Sequence, residues 1–277
     1  MSTSRLKTMI LLVLLVCALC LSAVAIPNRL AQTRERRQML AELKELYAGY
    51  ALTIELDELP QEATLYSVEL SETGQQTAAQ ALLGTKVRAD GGEDRFETVY
   101  ASEAGTLHTT RSGGFDAALT GQASVRNPEK AARKLLRSMG FAVGSLQRRQ
   151  EDDAVVFTAA QSLLGVEILE SGLELCYRDG CLTAVRGTFY TGAEAITRVS
   201  EQPCISAADA LTQLLSQRDA LGWVGSSVTG LSQAYQPTDT AASGIRFVPV
   251  WIVRTDTGSF CVNAVTREVT ARSASNS

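Results

Sequence analysis

The residues that could do chemistry in this chain are few, and their spacing argues against a reaction centre. There is one histidine, His108, in the threonine-rich stretch GTLHTT. A serine-type triad would have to be built on that imidazole, and a histidine-based metal site needs others. Six cysteines are present. Cys17 and Cys20 lie in an apolar run and read as filler, while Cys176, Cys181, Cys204 and Cys261 lack the C-x-x-C spacing of a zinc site. Cys176 and Cys181 flank Asp179-Gly180, a tight-turn signal, so they sit diagonally across an expected hairpin. A disulfide of imperfect geometry and free thiols are both open there, with free thiols favoured. Glu151-Asp152-Asp153 follows Arg148-Arg149, which suits a solvated turn and lacks the ligand spacing of an EF-hand. No carboxylate pair is marked out for glycosidic chemistry. The expectation is therefore no enzyme activity, no cofactor and no metal, and a function exercised by binding.

The elements that would position a binding surface begin with Met9–Ile26, eighteen residues without a charge. As a helix they span roughly 27 Å, close to the ~30 Å hydrocarbon core of a bilayer. Residues 1–8 read as a short cytoplasmic tail, 9–26 as a single-pass transmembrane anchor and 27–50 as a juxtamembrane helix. Arg5, Lys7 and Ala23-Val24-Ala25 also fit a cleavable export signal. The long apolar run and the basic helix behind it favour an uncleaved anchor in the cell membrane. The positive-inside count, with Arg29, Arg34, Arg36 and Arg37 after the anchor, disagrees with an extracytoplasmic C-terminal part; the export-type N-terminus favours that placement.

Two faces of this N-terminal region are candidates for helix–helix contact. Leu11, Leu14, Leu15, Ala18 and Ser22 form a seam in which small Ala18 and Ser22 permit close approach. Met39, Leu43, Leu46 and Tyr50 recur at four- and three-residue steps, and Leu40 and Tyr47 widen the stripe. That stripe either packs on the protein's own domain or makes a coiled-coil-like contact with a partner's juxtamembrane helix, and both readings stay open.

The remainder has ordinary globular composition, 45% hydrophobic and 20% charged, and a net charge of −4 gives no reason to expect nucleic acid. Residues 51–126 read as a small α+β module, with a strand at Thr64–Leu70, a helix at Gln75–Leu83, and strands at Arg95–Ala101, Gly105–Arg111 and Gly114–Leu119. From Asn127 a plan of one capped helix followed by an antiparallel meander occurs twice, over 127–200 and 201–277. Asn127-Pro128 opens the first helix, and Ser206 with Asp209 caps the second. Strands are expected at Ser145–Arg149, Ala154–Ala160, Gly172–Tyr177 and Cys181–Tyr190, then at Ser227–Tyr235, Ile245–Arg254, Gly258–Val262 and Glu268–Arg272. The stretch from Phe247 to Val253 is apolar on both faces, which places it between modules or inside a sheet with Pro249 at a bulge. Trp251 is expected in the core or between modules, with ligand stacking as the alternative.

RLKTMILLVLLV, the basic helix behind it, the paired modules, YRDGCLTAVRG and VPVWIVRTDTGSFCVNAVT together resemble the YycH/YycI-type regulators of Gram-positive bacteria. The resemblance implies an α+β fold with an N-terminal transmembrane helix and extracytoplasmic PepSY-like modules, each one helix packed on an antiparallel sheet. It also implies that the chain binds and modulates a cell-wall sensor histidine kinase of a two-component system through its membrane helix, alongside a paralogous regulator. No catalytic residues come with it. The alternatives are a secreted PepSY-type protease inhibitor or folding aid, and a PepSY protein of spore germination.

Overall fold

The computed structural model describes residues 32–70, 75–90, 97–191, 196–199, 204–239 and 245–272. The expected tail, the Met9–Ile26 anchor and its seam lie outside the described residues. Among those described, no helix is long and apolar enough to cross a membrane. They form a mixed α+β structure, with four helices against one large, mostly antiparallel sheet.

The middle of the chain builds one half. Helix α2 (Gln75–Leu83) precedes β3 (Arg88–Asp90), β4 (Glu97–Ser102), β5 (Gly105–Thr110) and β6 (Gly114–Leu119). Helix α3 (Pro128–Ser138) is followed by β7 (Val143–Glu151), β8 (Ala154–Leu163), β9 (Val166–Arg178) and β10 (Cys181–Thr188). The strands lie in the order β7-β8-β9-β10-β6-β5-β4-β3, all antiparallel. Strict alternation along β6 (Phe115, Ala117, Leu119) and β9 (Leu173, Leu175, Tyr177) turns one sheet face apolar. Leu82 and Leu83 of α2 and Ala132 and Leu136 of α3 close over that face. The Asn127 side chain accepts the amide of Lys130 at 3.0 Å and Pro128 opens α3, as expected from the sequence.

The two ends of the chain build the other half. Helix α1 (32–48), β1 (Thr53–Ile54) and β2 (Val68–Leu70) join α4 (Ala207–Ser216), β12 (Ser227–Asp239), β13 (Ile245–Thr255), β14 (Gly258–Asn263) and β15 (Val269–Arg272). Ser206 and Asp209 form the expected capping box on α4. β12 to β15 make a meander, β1 adds to β12 in parallel, and β2 pairs with β13 and with β11 (Ile196–Arg198). Trp251 is fully buried and its indole N–H donates to the Ile205 carbonyl at 2.9 Å. Pro249 is not at a bulge. It lies where β13 changes neighbour from β2, at Arg246–Phe247, to β14, from Val250 onward, so the absent N–H interrupts neither ladder.

A helix followed by a four-stranded meander thus occurs twice, but the expected 51–126 module is divided. Leu52, Ile54 and Leu59 join the core of the C-terminal half and Leu65 and Val68 the cluster between the halves, whereas 78–119 pack with the middle half. The reason is edge pairing: β1 and β2 find partners in β12 and β13, and β6 finds one in β10. The halves meet where β9 and β12 run parallel at Glu167–Ala234 and Ile168–Tyr235. Ile168, Tyr190, Tyr235 and Phe247 pack there, and the buried Gln161 amide bonds both the N–H and the carbonyl of Tyr190, at 3.0 and 2.8 Å.

Candidate partner-binding face

Helix α1 is amphipathic, and the structure divides its apolar stripe in two. Leu40, Leu43 and Tyr47 point into the core shared with α4. The Tyr47 hydroxyl donates to the Leu211 carbonyl of α4 at 2.8 Å, and burial pushes its phenol well above the usual range. The chain then reverses at Ala51, which takes a positive φ of 57°, and the Leu52 amide returns to the Tyr47 carbonyl at 3.0 Å. Residues 52–59 run back beside the helix. Lys44 Nζ donates to the Leu56 carbonyl at 2.8 Å, and Arg36 to the Leu59 carbonyl at 3.4 Å. The helix is therefore docked on its own half, the first of the two readings the sequence left open.

The other flank of the stripe is uncovered. Met39, Leu46 and Tyr50 retain 37%, 42% and 57% of their surface. Met39 and Leu46, seven residues apart, lie on one line along the helix beside the buried Leu43, and Tyr50 follows in the turn just past its end. Arg218 donates to the Tyr50 carbonyl and to the Trp223 carbonyl, each at 3.3 Å, and its guanidinium lies 5.7 Å from the Trp223 ring centre. That fixes the C-terminal end of α1 against the loop carrying Val224, which is 87% exposed. Of the expected contact residues, then, Leu43 serves the fold and Met39, Leu46 and Tyr50 remain accessible. Leu11, Leu14, Leu15, Ala18 and Ser22 lie outside the described residues. Val224 and the Arg218 clamp had no periodic signal in the sequence, because they come from a loop between α4 and β12.

The residues weighed for chemistry are dispersed. His108 Nδ1 lies 2.6 Å from Glu97 Oε1 on an exposed sheet face. The same face carries Arg186 with Asp116 at 3.2 Å and Arg149 with Glu174 at 3.9 Å. These exposed pairs draw on six strands of the sheet and contribute little each. No group of three or more metal-ligating side chains gathers among the described residues. Cys176, Cys181, Cys204 and Cys261 are free thiols. A β-bulge between Leu182 and Ala184 sets Cys176 opposite Ala184, and Cys181 lies opposite Arg178, so the diagonal Cys176–Cys181 bond is not made. Burial raises the thiols of Cys204 and Cys261, the latter to about 11. A cavity of about 770 Å³ lies between the end of α2 and the β3–β4 edge, beside Lys86, Arg88 and Glu103.

No family model matches the chain, and no curated protein matches it. Among solved structures, the chain is similar to an uncharacterized protein from Eubacterium rectale ATCC 33656 at 12% identity and a TM-score of 0.49, covering 80% of this chain and 90% of that one. It is also similar to the Bacillus megaterium YpeB C-terminal domain at 16% identity and a TM-score of 0.33, covering 74% and 99% respectively. Neither likeness is close enough to carry an argument about function.

Proposed function

We propose that this chain is a membrane-anchored extracytoplasmic regulator that binds and modulates the sensor histidine kinase of a two-component system. The observation that carries the reading is the open flank of α1. Met39 and Leu46 stand exposed on a helix docked to the folded unit, Tyr50 stands exposed in the turn just past its end, and the helix comes after the apolar Met9–Ile26 stretch in the sequence. A docked helix with one free apolar line can lie against a second helix leaving the same membrane, and a shift of either would be felt by the sheet through Tyr47 and Leu211. The resemblance of the sequence to the YycH/YycI-type regulators supports a sensor kinase as that partner.

The experiment is site-specific photocrosslinking in intact membranes, with the crosslinker at Leu46 or Tyr50 and a control at exposed Glu45 on the flanking surface. Crosslinks from Leu46 and Tyr50 to a histidine kinase support the reading. Crosslinks to no membrane protein, together with an intact mass lacking everything through Ala25, would favour a secreted inhibitor or folding aid instead.

A further inference from the structure

A second surface, independent of α1, lies on the middle half. Between Arg126 and Gln150 the chain carries seven basic side chains and one carboxylate, Glu129, in a protein whose net charge is −4. Arg126, Lys130, Arg133, Lys134 and Arg137 are exposed on α3 and its approach, and Arg148 and Arg149 are exposed on β7. Arg133 pairs with Glu129, and Arg149 with Glu151 and Glu174. The other five have no acidic partner among the described residues. The two elements are neighbours: α3 lies over β8, and its Leu135 packs on the same cluster as Val143 and Leu146 of β7.

β7 is also a free edge. It is nine residues long and, among the described residues, pairs with β8 alone. The β7–β8 hairpin closes at Glu151–Ala154 across a two-residue turn. The antiparallel alternation from that closing pair turns the backbone N–H and C=O groups of Leu146, Arg148 and Gln150 away from β8. Arg148 stands opposite Phe157, on the face that α3 covers, so its charge adds to that of the helix.

We propose that β7 accepts an extended acidic segment of a partner polypeptide as an added strand, with α3 and the β7 arginines reading its carboxylates. An open hydrogen-bonding edge beside unpaired cations fits strand addition, in which main-chain bonds supply affinity and alternate side chains supply specificity. Carboxylates on one face of the added strand meet Arg148 and the α3 cations, and those on the other meet Arg149. A second copy of this chain is a poorer occupant. Full antiparallel overlap of two β7 strands about Gln147 sets Arg148 diagonal to its own symmetry mate, like charges within reach.

The test uses the full-length chain in detergent and a fluorescent nine-residue peptide of alternating Val and Glu, read by anisotropy. Saturable binding that weakens with salt is expected. Two changes separate strand addition from plain charge attraction. Gln150→Pro removes an outward N–H at a position where an edge strand tolerates proline, and it should weaken binding about tenfold, the worth of one hydrogen bond. A peptide N-methylated on alternate residues should lose binding to the unaltered protein, so the outcome does not depend on the variant folding. Lys134→Glu with Arg137→Glu should weaken binding as well. No saturable binding, equal binding of a Val–Lys peptide, or undiminished binding after both backbone changes would overturn the proposal. The last of these would leave only a basic face attracting anions.

Discussion

Tyr47 and Leu46 are adjacent on α1 yet lie on opposite sides of its docking line, and truncating each should have very unequal consequences. Tyr47 is fully buried and its hydroxyl meets the Leu211 carbonyl at 2.8 Å. Tyr47→Ala removes a buried ring, at a cost of about 3–5 kcal/mol. At roughly 2–4 °C per kcal/mol for a chain of this size, the midpoint of thermal unfolding should fall by about 6–20 °C. Tyr47→Phe is the finer probe. Leu211 lies inside α4, so its carbonyl also serves the helix ladder and keeps one partner when the hydroxyl is gone. The loss is then a net hydrogen bond, about 0.5–1.5 kcal/mol, or roughly 1–6 °C. Leu46→Ser and Tyr50→Ser alter exposed side chains and should stay within about 0.5 kcal/mol of the parent, under roughly 2 °C. Circular dichroism melts of the four variants give the comparison. If Leu46→Ser and Tyr50→Ser lowered the midpoint as far as Tyr47→Ala, the helix would have no free flank and the division of its stripe would be refuted.

Other regions give shorter predictions. Asn127→Ala removes the cap on α3 and should cost about 0.5–2 kcal/mol in denaturant titration, while Asn127→Asp should restore nearly all of it. The Ser226 amide and hydroxyl, both 2.8 Å away, hold the Asp256 carboxyl below its ordinary value. A lowered folded-state pKa means stability present above the unfolded value near 3.8 and lost as pH falls below it. Asp256→Asn should therefore flatten the acid limb of the melting profile, and an unchanged limb would contradict this. Alkylation at pH 8 mapped by mass spectrometry should label half-exposed Cys176 and Cys181 in the folded protein, and Cys261 only after unfolding. Protection of Cys176 and Cys181 until a reductant is added would show that the two are bonded after all.

What could be read in the sequence was whatever is local. Gln75–Leu83 and Gly114–Leu119 appear with the residues expected, and the caps at Asn127 and Ser206 make the bonds their side chains announce. Asp179 and Gly180 both take positive φ, 50° and 76°, as a two-residue hairpin turn requires. β1, β3 and β11 escaped because two or three residues carry no period. β9 is longer than its alternation suggested: Glu170 takes a positive φ of 56° and Ser171 bonds the Ile168 carbonyl at 2.7 Å, which breaks the pattern within a continuous strand. The division of residues 51–126 between two halves rests on pairings more than 170 residues apart in the chain, such as Thr53 with Ser227 and Arg246 with Glu69. Periodicity has no access to those. The contact stripe on α1 was legible as a stripe. Which edge of it would be covered depended on Leu211 of α4, and only the folded chain brings that residue to Tyr47.

The central claim is that Met9–Ile26 and the open flank of α1 act together on a kinase. Replacing Met9–Ile26 with an unrelated apolar helix of equal length, in cells carrying a reporter of the kinase's response regulator, tests it directly. The account predicts that the reporter shifts while the exchanged protein still reaches the membrane in normal amount, and that Leu46→Ser with Tyr50→Ser moves it the same way. Reporter output identical to the parent in both strains would contradict the account.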